Sequence, residues 1–294
     1  MDGNGCAIAI DLGGTKLASA VVDGLGKILY RKKITTVGGE PRAGIDQIEQ
    51  AIRQAGEAAA CAGKIGMIVP GIYFADSGCV WAPNLWGDRQ IPLRAELEKR
   101  LSMPIVIDSD RAGYVLGEQW MGVARGMSDC VYLAVGTGIG AGIISGGHLL
   151  RGASDIAGAV GWFALNPERK ERYQEVGCWE AESAGPALAR HAGKATAEEA
   201  VAAARNGDAR ALNSLREAAR YLGLGIANIV SLLNPRMIIL GGGLMQAADL
   251  FVDIIRQTME EWAQPVAARQ VRIEISGLGE DAGLLGAARL ALGI

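Results

Sequence analysis

AIAIDLGGTK occupies residues 7–16, and its ending sets how the rest of the chain is read. An apolar, strand-forming run closes on one acid, two glycines, a threonine and a lysine. Glycines in such a turn leave backbone N–H groups unshielded, so the turn can close on phosphate oxygens. Asp11 stands at the strand end, where a carboxylate can hold a hydrated Mg2+ on those phosphates. Thr15 adds a hydroxyl donor. Lys16 would neutralise phosphate charge, although an exposed turn lysine needs no such duty. A looser copy, VYLAVGTGIG, fills residues 131–140. Sliding Ile8 onto Val131 puts Asp11 on Ala134, Gly13 on Gly136 and Val21 on Ile144.

The surroundings of the two stretches repeat as well. Residues 6–11, 17–23 and 27–33 have the pattern of three strands, with Asp23, Gly24 and Gly26 turning the chain. A helix follows Pro41, with Ile45, Ile48, Ile52 and Ala55 on one face. A buried strand covers 65–69 and stops at Pro70-Gly71. A helix runs from Pro92 to about Leu101, a short strand covers 105–108, and a helix spans Tyr114 to Met121. The second half restarts with strands at 130–135, 140–145 and 148–150. Its long apolar helix runs from about Asp208 to Leu233, and Thr196 with Glu199 forms a capping box before it. Strands at 236–240 and 271–275 follow. A last helix covers 281–292 with Asp281 as its cap. The chain is internally duplicated, each half carrying a strand, a glycine turn and a strand.

Two glycine turns from two such halves would face each other across a cleft and grip one polyphosphate. The first offers Gly13, Gly14 and Thr15, and the second Gly136, Thr137 and Gly138. Gly241, Gly242 and Gly243, after a strand, give a third close approach suited to a base or ribose. None of these fits the P-loop GxxxxGK[ST] or the GxGxxG turn of a dinucleotide fold.

Composition sets the outer limits. The 294 residues are half hydrophobic, with a net charge of −3, so no general attraction to nucleic acid or anionic membrane is expected. No apolar run is long enough for a bilayer, and the opening MDGNGC lacks the basic-then-apolar pattern of a secretory signal. Cys6, Cys61, Cys79, Cys130 and Cys178 are dispersed, which fits buried thiols in a reducing compartment. A cytoplasmic location follows as an expectation.

The motifs together resemble the ROK sugar kinases of the actin, hexokinase and heat-shock ATPase fold. They are DLGGTK at 11–16, VPG at 69–71, PNL at 83–85, LGE at 116–118, GTGIGAG at 136–142, GCWE at 177–180, LGGG at 240–243 and GEDAGLLGAA at 279–288. The resemblance implies an α/β protein of two ribonuclease-H-like lobes. One lobe would cover 1–112, completed by the helix at 282–294, and the other 113–281. It implies ATP and Mg2+ in the cleft, a sugar or cyclitol acceptor, and a homodimer. Repressors of the family carry a helix-turn-helix before the first phosphate turn, and the few residues ahead of Asp11 leave no room for one, so the kinase branch is expected.

The resemblance also assigns the acceptor side. Counting back from Gly117-Glu118 in VIDSDRAGYVLGE makes Asp110 the general base. Asp108 then falls to strand-end solvation or an ion pair with Arg111. Arg111 itself would clamp an anionic substrate or product if it did not take that ion pair. Gly71, Asn84, Ser109 and Glu180 match acceptor-contacting positions, with Ser109 replacing an Asn. The segment GAVGW at 158–162 departs from the family's GEIGH, putting Ala159 and Trp162 where Glu and His would meet the sugar. The zinc loop is reduced to Cys178, and neither His148 nor His191 lies in that segment, so no zinc is expected. Trp162 would stack on a ring's C–H face, or else Trp162 and Trp179 fill the space of the lost loop. His191 belongs to a helix surface, and Met121 and Met127 to packing. A shifted acceptor such as an amino sugar, modified sugar or cyclitol is the expectation. The alternatives are a non-catalytic sugar-binding regulator and a kinase that uses polyphosphate.

Overall fold

The computed structural model describes residues 5–59 and 64–294. The chain divides into two compact units. The first takes the chain up to Gly126 and adds Arg151–Ile156 and Gly277–Ile294; the second takes Met127–Leu150 and Ala157–Ser276. The expected first boundary at 112 thus lies at 126, for a reason of packing given below.

The first unit runs β1 (Cys6–Leu12), β2 (Lys16–Asp23), β3 (Ile28–Thr35), α1 (Pro41–Ala59), β4 (Ile65–Val69), β5 (Ile72–Phe74), β6 (Cys79–Trp81), α2 (Pro83–Trp86), β7 (Gln90–Ile91), α3 (Leu93–Leu101), β8 (Ile105–Ser109) and α4 (Asp110–Met121). The second runs β9 (Cys130–Val135), β10 (Ile139–Ser145), β11 (His148–Leu149), α5 (Tyr173–Val176), α6 (Cys178–Ser183), α7 (Gly185–Ala192), α8 (Ala197–Arg205), α9 (Ala209–Leu233), β12 (Met237–Gly241), α10 (Val252–Trp262), α11 (Pro265–Gln270) and β13 (Arg272–Ile275). The chain returns to the first unit with α12 (Asp281–Leu292).

The first sheet has the order β3-β2-β1-β4-β8, antiparallel across the opening hairpin and parallel from β1 to β8. Alternation along β1 sorts its residues by size. Ile8, Ile10 and Leu12 join the cluster containing Ile45, Ile48 and Ile52 of α1, whereas Ala7 and Ala9 join Leu284, Leu285 and Ala288 of α12. The small face lets α12 come close. A Cβ on Gly66 would overlap Ala287 O, and one on Gly286 would overlap Gly113 O. Gly117 meets Ala282 O in the same way. These contacts fasten α4 to α12, which is why α4 belongs to the first unit.

Glu118 of α4 is fully buried and fastens the chain at this point. Its Oε2 accepts the Val123 N–H at 2.9 Å, and its Oε1 accepts the Leu278 N–H at 3.1 Å. The segment 151–156 is tied to the same unit by an ion pair from Arg151 to Asp108 and by the Ala75 N–H donating to Asp155 Oδ2 at 2.8 Å.

The second sheet, β11-β10-β9-β12-β13, repeats the first in order and strand direction. Val131, Leu133 and Val135 of β9 pack in one cluster with Leu215, Leu222 and Ile226 of α9. Asp208 caps α9 by accepting N–H bonds from Arg210 and Ala211, and Asn234 ends it in the left-handed region. The apolar face of that helix is therefore spent on its own core.

Several expectations change. The three-stranded sheet β5-β6-β7 and the short helices α2, α5, α6 and α7 were not visible in the pattern. Helix α4 begins at Asp110, four residues before Tyr114, because the Ser109 hydroxyl caps it by accepting the Ala112 N–H. Asp281 is the first residue of α12 rather than its cap; Glu280 holds the cap position without a side-chain bond. Cys6 is disulfide-bonded, against the expected set of free thiols, because dispersal along a sequence says nothing of neighbours in space. Cys79, Cys130 and Cys178 are free, the last two buried, and Cys61 lies outside the described residues. Among the described residues no helix is long and apolar enough to cross a membrane.

Candidate active site

The strand register brings the acids of the first unit together. Asp11 pairs with Ile68 on β4, and Ile68 pairs with Asp108 on β8, so Asp11 and Asp108 share a row with Asp110 just beyond it. The Asp11 carboxylate packs so tightly on α12 that a Cβ on Gly283 would collide with Oδ2. Loss of water and the negative charge of Asp110 push its pKa up to about 7, with Lys33 opposing. Loss of water pushes Asp110 up to about 6, against the pull of the Arg111 guanidinium and the Arg111 N–H, which donates to Oδ1 at 2.7 Å.

The first turn is braced from within and from β3. Gly13 N–H donates to Lys16 O at 2.9 Å, Thr36 Oγ1 donates to Gly13 O at 2.8 Å, and Thr36 N–H donates to Thr15 O at 3.0 Å. That leaves Gly14, Thr15 and Lys16 exposed at the tip. Gly71 has φ +80°, with Trp81 O standing where a Cβ would go, so only glycine fits. Asn84 is exposed on α2. Ser109 is buried, and its hydroxyl oxygen caps α4 by accepting the Ala112 N–H at 3.3 Å, a bond that does not use its O–H.

The second unit forms its own cluster. Gly136 N–H donates to Gly138 O at 3.0 Å, and Thr137 is exposed at the tip. Glu180 reaches in from α6, its Oε2 accepting the Ile139 N–H at 2.8 Å. A Cβ on Gly138 would lie 2.7 Å from that oxygen, and one on Gly161 3.1 Å from it. Burial raises the Glu180 pKa, with the Ile139 N–H and Arg172 opposing. Gly242, at φ +90°, presses on the Val135 backbone, and the open side of Gly136 faces Gly243 N at 3.7 Å. Gly241 follows the same rule, since a Cβ there would strike the Tyr132 hydroxyl. The turn, the glycine run, Glu180 and Gly161-Trp162 therefore meet.

The two tryptophans part company. Trp179 is fully buried and stacks on Phe163, 5.7 Å between centroids and 13° between planes. It fills space. Trp162 is 57% exposed and does not.

One ion pair differs from expectation. Asp108 Oδ2 is held by Arg151, at 3.1 Å from Nε and 2.7 Å from Nη2, and not by Arg111. Arg151 carries no local signal, because the acid it holds lies 43 residues away in sequence. Among the described residues, no group of three His, Cys, Asp or Glu side chains could hold a metal ion alone. A single carboxylate at Asp11 does suit Mg2+, which keeps its waters and takes further oxygens from a substrate's phosphates.

Two five-stranded sheets of matching order, each opening on a glycine hairpin, define the actin-like ATPase fold. The crystal structure of a ROK family glucokinase from Streptomyces griseus, in complex with glucose and AMPPNP, superposes with a TM-score of 0.82 at 31% identity, covering 99% of this chain and all of that one. A glucokinase from Streptomyces coelicolor is 34% identical over an alignment 320 positions long, covering 98% of each chain. A xylose repressor from Caldicellulosiruptor bescii is 29% identical over 308, covering 96% of this chain and 77% of the repressor. The ROK family model matches residues 7–294, and the chain belongs to the ROK family.

Proposed function

We propose that the protein transfers the γ-phosphoryl group of ATP to a hydroxyl of a sugar or sugar-like acceptor: a hexose, an amino sugar or a cyclitol. The observation that carries this is Asp110, a partly buried carboxyl group at the start of α4 whose pKa, about 6, leaves it ionised but basic near neutrality. The acceptor oxygen bonds the γ-phosphorus, its proton passes to Asp110, and the bond to the bridging β–γ oxygen breaks to release ADP. The tips at Gly13, Gly14, Thr15, Lys16 and at Gly136, Thr137, Gly138 supply backbone and hydroxyl donors to phosphate. Gly241, Gly242 and Gly243 give the nucleotide a backbone without side chains. Mg2+ on Asp11, through water or phosphate, would neutralise part of the triphosphate charge. Gly71 and Asn84 border the acceptor, and the exposed face of Trp162 offers it an apolar platform. Glu180 orders the second turn while keeping one oxygen for the acceptor. The glucokinase relatives and the glucose–AMPPNP complex support this chemistry.

ADP release, measured against a panel of hexoses, amino sugars and cyclitols with ATP and with polyphosphate, tests it. Asp110→Asn is expected to lower turnover by about 10²–10⁴-fold with nucleotide binding retained, and wild-type kcat/KM is expected to fall as pH drops through about 6. Unchanged turnover in the variant would remove Asp110 as the base. The likeness to a xylose repressor gives a second reading, sugar binding without catalysis, for which acceptors would bind and no ADP form.

A further inference from the structure

Arg111 is the second residue of α4, where a cation opposes the partial positive charge of a helix N-terminus. Asp110 attracts it through space, but neither neighbouring acid forms a hydrogen bond with its side chain. Asp108 is held by Arg151 through two nitrogens. Asp110 accepts the backbone N–H of Arg111, not its side chain. Among the described residues, the guanidinium makes one hydrogen bond, from Nη2 to Gly71 O, and that one is long at 3.3 Å. Its Nε is buried without a partner. A buried donor left without a partner is unfavourable.

The place matters as much as the unmet valence. Gly71 and Asp110 both belong to the acceptor side of the proposed reaction, and the guanidinium lies against them both. A neutral hydroxyl would satisfy one N–H and leave the rest of the planar fork unmatched. A carboxylate or phosphate oxygen pair fits the planar fork and neutralises it.

We propose that Arg111 recognises an anionic group, carboxylate or phosphate, on the acceptor, so that acidic or phosphorylated sugars are favoured over neutral hexoses. The idea rests on the kinase reading in taking the ligand as the acceptor; the binding itself can be measured without catalysis. The charge-assisted contact sets the expected size, about tenfold to hundredfold in affinity.

Calorimetric titration of the full chain, with and without a non-hydrolysable ATP analogue, would use glucose, glucuronate and glucose 6-phosphate as probes. Wild type should bind at least one of the two anions about tenfold tighter than glucose, and the tighter one tells carboxylate from phosphate. Arg111→Gln should weaken that anion by about tenfold to hundredfold and leave glucose within about threefold. Arg111→Lys, which keeps the charge without the fork, should fall between, and it carries the test should the glutamine variant fail to fold. ADP release on the same probes separates the two ideas: selective anion binding with no turnover would end the kinase reading and leave this one standing. Glucose bound as well as both anions, or a variant that weakens all three alike, would overturn it.

Discussion

The two hairpins of this molecule match in order and direction but carry their acids in different ways. In the first unit the carboxylate belongs to the strand, Asp11, and no hydrogen bond relieves its burial among the causes that set its pKa. In the second, the matching position is Ala134, and the acid comes from another element, Glu180 on α6, where it accepts the Ile139 N–H. The registers record the divergence too. Leu12 faces Leu17 across the first turn, whereas Val135 faces Ile139 across the second, which is one residue shorter. The first acid is buried at the strand end with its pKa raised, and the second is part of the turn's own framework.

That contrast can be broken by substitution. The largest effect is expected where the first unit closes on α12: Gly66→Ala should cost about 3 kcal/mol in denaturant unfolding, because its Cβ meets backbone that cannot yield. Gly14→Ala, with open space around it, should stay within about 0.5 kcal/mol. A Gly66 variant as stable as the Gly14 variant would show that the close approach of α12 is not needed. Next comes Glu180→Ala, expected to cost about 2 kcal/mol by leaving the Ile139 N–H without an acceptor. The smallest effect has the opposite sign. The folded pKa of Asp11, about 7, lies above the ordinary carboxylate value of 3.8, so its contribution favours folding below about pH 4 and is lost as pH rises through about 7. Asp11→Asn, without nucleotide, should therefore be stabilising by about 1 kcal/mol at pH 8 and near neutral at pH 4, read as a difference in thermal midpoint. Equal effects of both acids at pH 8 would erase the distinction drawn between the two turns.

The sequence made some of this visible and hid the rest for physical reasons. The hairpins were legible because each side chain along a strand alternates faces and the glycines interrupt that pattern. The same alternation hid nothing about size sorting on β1, yet the meaning of Ala7 and Ala9 emerges only once α12 is seen against them. Strands of two or three residues, such as β5, β6 and β7, are shorter than any period that could reveal them. Asp110 and Gly71 could be located by motif, but the partner of Asp108 could not, since Arg151 reaches it across a separation that no local rule spans. Ser109 carried a readable cap signal, a serine just before a helix, that was obscured by its likeness to an acceptor-binding position.

The placement of α12 has a consequence for the order in which the chain can be finished. Ala7, Ala9 and Ile68 need Leu284, Leu285 and Ala288 to cover them, and the bond from Leu278 to Glu118 secures that cover. A ribosome delivers those residues only after the whole second unit has emerged. The nascent first unit must therefore wait with one apolar face of its sheet covered only in part, by Tyr114, Trp120 and Met121 of α4, while the later-made unit has every strand of its own sheet to hand.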